Sequence, residues 1–175
     1  MKALVIVDMQ NDFIDGVLGT QKAVNIVDKV ADKVNNHKGM KIFTRDTHLP
    51  NYLDTQEGKK LPVKHCIKDT HGWEISSKLK VDKNDKVIDK YTFGSIQLGE
   101  YLYEYLVHKS KPIESVELVG LCTDICVISN ALLLKAFLKE VPIIVDASCC
   151  AGVTTKSHKN ALEAMKTCQI DVINE

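Results

Sequence analysis

The run from Val119 to Val127 joins a glycine break to two cysteines four residues apart, Cys122 and Cys126. An apolar segment precedes the run and a helical pattern follows it, so the sequence places Cys126 near the start of a helix. Unpaired N–H groups at a helix start carry a partial positive charge, which favours a thiolate over a thiol. Cys126 is therefore a candidate nucleophile, and nearby amides could hold an oxyanion. The alternative is a pair of small buried residues, because free cysteine is among the most buried residue types.

Two charged residues could assist this thiol, because each lies at the end of a predicted strand. Asp8 ends the first strand and Lys90 follows Ile88. Ligands of open α/β sheets bind beyond the carboxyl ends of the strands, where these side chains should meet Cys126. Asp8 could accept the thiol proton and later deliver it to a leaving amine, while Lys90 could keep Asp8 ionised and stabilise the thiolate. The alternatives are that Asp8 caps the turn after it and that Lys90 is a solvated strand end.

A second group of polar residues lies in the irregular region from residue 46 to residue 85, which has little periodicity and many Gly, Pro, Lys, Asn and Asp residues. A loop of this length inside a compact domain is usually functional. Asp46 and His48 project the same way at the end of the second strand, and Glu57 and His65 follow. Carboxylate and imidazole ligands suit Zn²⁺, Fe²⁺ or Mn²⁺, so the set predicts one bound divalent metal ion. Alternatively, the two histidines are loop residues without partners.

Short apolar runs alternate with amphipathic stretches along the whole chain. Six runs predict strands: Ala3–Val7, Lys41–Thr44, Lys86–Ile88, Ser115–Val119, Pro142–Val145 and Ile170–Ile173. Four patterns predict helices: one with an apolar face from Val24 to Val34, one capped by Ser95, one over Cys126–Lys139, and one capped by Thr154 or Thr155. The strands are nearly continuous in apolar character, as expected when helices cover both faces of a parallel sheet. The alternation predicts a single-domain α/β fold, a doubly wound, mainly parallel six-stranded sheet flanked by helices.

The composition describes one ordinary globular domain over residues 1–175. The chain has 23 basic and 23 acidic residues, with 45% hydrophobic and 26% charged residues. No charge block indicates nucleic acid or an anionic membrane surface as a partner. The longest apolar runs are far too short to span a bilayer. Six cysteines without a secretory N-terminal pattern favour a reduced, cytoplasmic protein.

Four short motifs follow one another along the chain: Val7–Phe13, Thr44–His48, Lys90–Phe93 and Gly120–Val127. By these motifs, nearly the whole chain resembles the isochorismatase-like cysteine hydrolases, and within them the nicotinamidases. The resemblance implies a Rossmann-like, three-layer fold and a catalytic triad of Asp8, Lys90 and Cys126, which hydrolyses a carboxamide through a thioester. It also implies a cis peptide between Leu121 and Cys122, with the Cys122 and Cys126 amides forming an oxyanion hole.

The resemblance to nicotinamidases also implies a metal ion that contacts the pyridine nitrogen of the substrate. Asp46, His48 and His65 match three ligands of that metal, and the remaining ligand is either Glu57 or Asp54. Family members without these ligands often act on other amides. The resemblance to nicotinamidases in particular, rather than to the whole family, therefore depends on the metal-binding residues.

The substrate pocket that the resemblance implies contains Phe13, Leu61, Tyr91 and Phe93. Phe13 matches an aromatic wall, whereas Leu61 stands where nicotinamidases often place another aromatic residue. A chain of 175 residues is compact for the family, which implies short surrounding loops and a more open pocket.

The reaction that the resemblance implies is hydrolysis of nicotinamide, a small carboxamide, to nicotinate and ammonia. One alternative keeps the same triad for another small amide or ureido substrate. Another is a catalytically silent binding module, although such a protein has no chemical reason to retain Asp8, Lys90 and Cys126. Apolar residues of the predicted Cys126–Lys139 helix could support a homo-oligomer.

Overall fold

The computed structural model describes residues 1–108 and 112–175. Their strands are β1 (Lys2–Val7), β2 (Met40–Asp46), β3 (Lys86–Lys90), β4 (Ser115–Leu121), β5 (Ile143–Ala151) and β6 (Asp171–Ile173). The six strands form one sheet in the order β3-β2-β1-β4-β5-β6, and every neighbouring pair is parallel. The predicted doubly wound α/β fold is confirmed, and the sheet is parallel throughout rather than mainly parallel.

Helices lie between the strands. They are α1 (Asn11–Ile14), α2 (Gln21–Asn36), α3 (Gln56–Lys60), α4 (Ile96–His108), α5 (Ile128–Phe137) and α6 (Thr155–Thr167). Two 3₁₀ turns, Tyr52–Asp54 and His71–Trp73, and a π-helical turn, Thr123–Val127, complete the regular structure. None of the helices in this described part of the chain is long and apolar enough to cross a membrane.

Two helix starts agree with the capping residues that the sequence indicated. Ser95 Oγ accepts a hydrogen bond from Leu98 N at 3.1 Å, which satisfies one free amide at the start of α4. Thr154, and not Thr155, caps α6, because its hydroxyl accepts a hydrogen bond from Ser157 N. Local sequence chemistry therefore sets the beginnings of these helices.

The sheet separates two hydrophobic cores, because successive side chains of a strand point to opposite faces. Ala3, Val5 and Val7 of β1 belong to the core that includes residues of α4, α5 and α6. Leu4 and Ile6 belong to the core on the other face, which α2 covers. All five side chains are fully buried. This three-layer arrangement explains why the strands are apolar at almost every position.

β5 runs six residues further than the apolar pattern predicts, to Ala151 instead of Val145. The apolar run stops at Asp146, and in the sequence a charged residue at this point indicates that a buried strand has ended. In the structure Asp146 is nonetheless buried, because Lys33 of α2 donates a hydrogen bond to its carboxylate. A partner 113 residues away in the chain is invisible to a local pattern.

The strand order reverses between β1 and β4, since the chain leaves β1 toward β2 and leaves β4 toward β5. Ligands of doubly wound folds bind at the carboxyl ends of the strands beside such a switch point. The irregular region between β2 and β3 crosses this edge of the sheet. There Gln10 forms a β-bridge with Ile75, and His48 forms one with Ile67.

Candidate active site

Three polar side chains meet at the switch point, each from the carboxyl end of a different strand. Asp8 follows β1, Lys90 is the last residue of β3, and Cys126 lies in the π-helical turn after β4. Lys90 Nζ lies 2.7 Å from Asp8 Oδ2 and donates a hydrogen bond to Cys126 Sγ at 3.4 Å. Their exposed fractions are 0% for Asp8, 3% for Lys90 and 5% for Cys126. The structure thus brings together the thiol, the carboxylate and the ammonium that the sequence singled out.

The two carboxylate oxygens of Asp8 have different surroundings. Thr44 Oγ1 donates a hydrogen bond to Asp8 Oδ1 at 2.6 Å, which fixes one side of the carboxylate. Oδ2 faces the Lys90 ammonium but accepts no well-aligned hydrogen bond from any described residue. This oxygen therefore has a lone pair available for a proton.

Burial dominates the electrostatics of the cluster. It raises the pKa of Cys126 well above that of an ordinary thiol, because the nearby Lys90 charge offsets only part of the cost of desolvation and Asp8 adds to it. Burial also raises the pKa of Asp8, again against the opposing effect of Lys90. Burial disfavours the charge on Lys90, but Asp8, Cys126 and Asp46 together raise its pKa well above the usual value.

The expectation of a stabilised Cys126 thiolate is wrong for the free protein. The thiol lies in a π-helical turn and is almost fully buried, so the favourable field of a helix start does not compensate for the loss of water. Burial therefore favours the neutral thiol of Cys126 over its thiolate, and Asp8 is the carboxylate of the same cluster.

The turn that carries Cys126 is folded around the Cys122 carbonyl. That oxygen accepts hydrogen bonds from Ile125 N and Val127 N, each at 3.1 Å. The Leu121–Cys122 peptide is cis, as the resemblance implies. Thr123 is fully buried in the same turn, and its hydroxyl lies 2.8 Å from His158 Nδ1 of α6.

Four side chains of the irregular region form a group that could hold a metal ion: Asp46, His48, Glu57 and His65. One potential ligand atom from each lies within 4.8 Å of the others. Glu57 is supplied by α3, whose first turn is capped by Thr55. Asp54 is exposed and lies outside the group. The geometry therefore favours Glu57 over Asp54 as the remaining ligand.

The donor atoms are spaced as a single metal ion requires. His48 Nε2 lies 3.1 Å from Asp46 Oδ2 and 3.7 Å from Glu57 Oε1, and His65 Nε2 lies 3.7 Å and 3.9 Å from the same two oxygens. Two ligands bound about 2.1 Å from a tetrahedral ion lie about 3.4 Å apart. His65 Nδ1 donates to the Val63 carbonyl at 2.8 Å, which leaves Nε2 with the lone pair that a metal needs.

Asp46 connects the metal-binding group to the thiol cluster. Its Oδ2 faces the two histidines, and its Oδ1 accepts a hydrogen bond from Lys90 Nζ at 3.1 Å. Burial opposes the ionisation of Asp46, but hydrogen bonds with His48 and His65 and the Lys90 charge outweigh it and lower its pKa. The carboxylate is therefore ionised and belongs to both halves of the site.

Two buried polar residues outside the predicted set support the metal-binding group. Tyr52 packs its ring against His48 and His65, with ring centroids 4.5 Å and 5.0 Å apart, and donates a hydrogen bond to the Leu61 carbonyl at 2.9 Å. Gln10 donates to the Asp46 carbonyl at 2.9 Å and accepts from Asp46 N at 2.7 Å. Both are fully buried, yet their partners could not be inferred from sequence spacing.

A cavity of about 660 Å³ opens over the thiol and the metal-binding group. Its wall includes the four residues predicted for the pocket, Phe13, Leu61, Tyr91 and Phe93, together with Cys122, Cys126, Asp46, His48, Glu57 and His65. Asp8 and Lys90 do not line it, because they are buried beneath the surface that Cys126 presents. Tyr91 is 64% exposed and Phe93 43%, so one side of the cavity is open to solvent.

The fold and the site together define the class of protein. The chain belongs to the isochorismatase domain family, which it matches over residues 2–175. It is 26% identical to the nicotinamidase/pyrazinamidase of Mycobacterium tuberculosis, over 99% of this chain and 98% of that protein. It is 25% identical to the nicotinamidase of Schizosaccharomyces pombe, over 99% of this chain and 93% of that protein.

Solved structures show the same architecture. The nicotinamidase of Bacillus subtilis superimposes with a TM-score of 0.81 at 26% identity, over 99% of each chain. The pyrazinamidase of Pyrococcus horikoshii, solved in complex with zinc, superimposes with a TM-score of 0.84 at 24% identity, also over 99% of each chain. The predicted isochorismatase-like fold is confirmed by this agreement over the full length.

Proposed function

We propose that this protein hydrolyses nicotinamide to nicotinate and ammonia. The observation that carries the proposal is the buried Asp8–Lys90–Cys126 cluster, whose thiol faces a cavity with a metal-binding group in its wall. The similarity to the nicotinamidases of Mycobacterium tuberculosis and Bacillus subtilis, each 26% identical over nearly the whole chain, supports the choice of substrate.

In this mechanism Cys126 is the nucleophile and Asp8 is the base. Cys126 Sγ attacks the carboxamide carbon while Asp8 Oδ2 takes the thiol proton. The backbone amides of Cys122 and Cys126 hold the oxyanion that forms. The C–N bond then breaks, Asp8 delivers its proton to the leaving nitrogen, and ammonia departs from a thioester. Water attacks the thioester, Asp8 again accepts a proton, and that proton returns to the Cys126 sulfur as nicotinic acid leaves and loses its own proton to solvent to become nicotinate.

Lys90 stabilises the negative charge that the proton transfers leave on Asp8 or on Cys126. Its ammonium lies beside both the Asp8 carboxylate and the Cys126 sulfur, so it stabilises the negative charge wherever the proton has left it. Its hydrogen bond to the Thr92 carbonyl, at 3.2 Å, holds the ammonium in this position. Lys90 therefore acts as a fixed positive charge rather than as a proton donor.

Asp46, His48, Glu57 and His65 would hold the metal ion. Two imidazoles and two carboxylates suit Zn²⁺, Fe²⁺ or Mn²⁺. The bound ion would supply a Lewis acid to which the pyridine nitrogen of the substrate can bind. Phe13 would pack against the pyridine ring, and Leu61, Tyr91 and Phe93 would complete the wall around it.

A second substrate class has one observation in its favour, the size of the cavity. About 660 Å³ lies within the range that proteins use for drug-sized ligands and exceeds what a single pyridine ring needs. Leu61 is 38% exposed at the position where an aromatic side chain would narrow the space. A bulkier amide or ureido compound, cleaved by the same three residues, is therefore the second candidate substrate.

Ammonia release from nicotinamide tests the proposal, with the purified protein measured metal-replete and after chelation. Cys126→Ala should lower turnover at least about a thousandfold, because it removes the thiol that forms the thioester in this mechanism. Cys168→Ala, which removes an exposed cysteine, is the matched control and should keep full activity. Absence of ammonia from folded, metal-loaded protein would reject nicotinamide as the substrate and lead to a screen of other small amides.

A further inference from the structure

Asn130 is a polar residue in the buried part of an otherwise mostly apolar helix, α5. Its side chain is fully buried, and each of its polar atoms has a partner. Nδ2 donates to the Cys126 carbonyl at 2.8 Å and to the Phe93 carbonyl at 3.1 Å. Oδ1 accepts from Ser95 N at 3.0 Å. A single amide group thus forms hydrogen bonds with three backbone groups.

The three backbone groups belong to two segments that come from different strands. Cys126 lies in the turn after β4, whereas Phe93 and Ser95 lie in the segment that connects β3 to α4. The connecting segment begins just after Lys90, and its residues Tyr91, Thr92 and Phe93 line the cavity. Asn130 therefore joins the turn that carries the thiol to a wall of the cavity.

This wall segment packs directly on α5. A methyl group built on Gly94 would lie 3.4 Å from the Ser129 carbonyl oxygen and 3.6 Å from the Leu133 side chain, which is van der Waals distance. The wall segment therefore passes close to α5, and the hydrogen bonds of Asn130 are polar links across this junction.

We propose that Asn130 is a positioning residue, which holds the Cys126 turn and the Tyr91–Phe93 wall in one fixed relation so that a substrate resting on the wall meets the thiol. The inference rests on the proposed function, because it takes Cys126 as the nucleophile. A hydrogen bond from a helix residue to the carbonyl four positions earlier orients the turn that contains it. In a buried site such bonds are stronger than in water, and small errors in position are costly to the reaction.

Asn130→Asp tests the inference with almost no change of size. The carboxyl group can still accept from Ser95 N, but it has at most one proton to donate and cannot serve both the Cys126 and the Phe93 carbonyl. We expect kcat/KM for nicotinamide to fall about ten- to hundredfold, with kcat lowered and KM raised, because both the thiol and the wall lose their common support. Asn130→Ser, which keeps one donor on a shorter side chain, should give an intermediate loss and replaces Asn130→Asp if that variant does not fold.

Two control variants separate positioning from general stability. Ser129→Ala removes a hydrogen bond to the Ile125 carbonyl of the same turn but touches no bond to the wall, so KM should stay at the wild-type value. Leu134→Ala opens the core on the same helix, so it should lower the melting temperature and leave kcat and KM of the folded fraction unchanged. A raised KM in either control, equal to that of Asn130→Asp, would overturn the inference.

Hydrogen–deuterium exchange provides a reading that needs no substrate. In Asn130→Asp, exchange should speed up both in the peptide over residues 91–95 and in the peptide over residues 122–127, and Leu134→Ala should not produce this pair of changes. Faster exchange in the 122–127 peptide alone would overturn the proposal that Asn130 holds the turn and the wall together. Wild-type protein that releases no ammonia from nicotinamide would reject the proposed function, while the exchange measurement would still decide the role of Asn130.

Discussion

Cys126 and Asp8 are both less ready to ionise in this protein than in water, because burial raises the pKa of each group. Lys90 is the positive charge between them, and it favours one negative charge in the cluster at a time. A proton that leaves the thiol for Asp8 therefore moves between two groups held by the same ammonium. Such a transfer costs less than the formation of a buried thiolate beside an ionised carboxylate.

Asp8→Asn should lower nicotinamide turnover about 10²–10⁴-fold, because an amide has no lone pair basic enough to accept the thiol proton. The side chain keeps its size, and Thr44 Oγ1 can still donate to the amide oxygen. Asp82→Asn is a control in a part-buried ion pair with Lys41, outside the cavity wall, and should keep full activity. Ammonia release measures both. Near wild-type turnover in Asp8→Asn would remove Asp8 from the role of base.

The raised pKa of Cys126 predicts how fast the free protein reacts with iodoacetamide. Only the thiolate is alkylated, and a pKa above the ordinary value of 9.0 leaves little thiolate at neutral pH. The rate at Cys126 should therefore rise about tenfold for each pH unit and keep rising beyond pH 9. Peptide mass spectrometry resolves Cys126 from the exposed Cys168. A rate at Cys126 that levels off below pH 9 would contradict a burial-raised pKa.

Secondary-structure elements explain why part of the site was predictable. Asp8, Lys90 and Cys126 lie at or just after the carboxyl ends of three strands, and a parallel sheet brings these ends to one edge whatever the details of packing. The π-helical turn at Thr123–Val127 and the buried state of the thiol depend on neighbours that no local pattern contains. The same holds for Asn130 and Gln10, whose partners lie as many as 37 and 63 residues away in the chain.

The short helix α3 gives a sharp test of the metal-binding group, because it decides between two acidic residues. Glu57→Gln should lower metal affinity by more than about tenfold, since a neutral amide is a poor replacement for a carboxylate ligand. Asp54→Asn is the matched control in the neighbouring 3₁₀ turn and should keep the wild-type metal content. Elemental analysis after dialysis against metal-free buffer measures both. The reverse pattern would make Asp54 the ligand.

Across the whole molecule, the switch point between β1 and β4 brings distant parts of the chain to one cavity. Phe13 follows β1, His48 and His65 come from the irregular region between β2 and β3, and Val153 follows β5. Polar contacts join the irregular region to the rest of the fold, among them the hydrogen bond from Gln10 to the Trp73 carbonyl at 2.8 Å. The region that lacked periodicity in the sequence is ordered by these contacts rather than by its own pattern.

The shared carboxylate of Asp46 has a consequence for how this protein can change over generations. Its Oδ1 binds Lys90 while its Oδ2 faces His48 and His65, so any substitution at this position changes contacts in both groups together. A substitution of His48 changes only the metal-binding group directly, and one of Lys90 changes only the thiol cluster directly. The sum of their effects need not equal the effect of an Asp46 variant, which changes both. If a metal-binding role were lost, His48 and His65 would be released from it, whereas Asp46 would still pair with Lys90 beside Asp8. Selection on Asp46 is therefore expected to outlast selection on the two histidines.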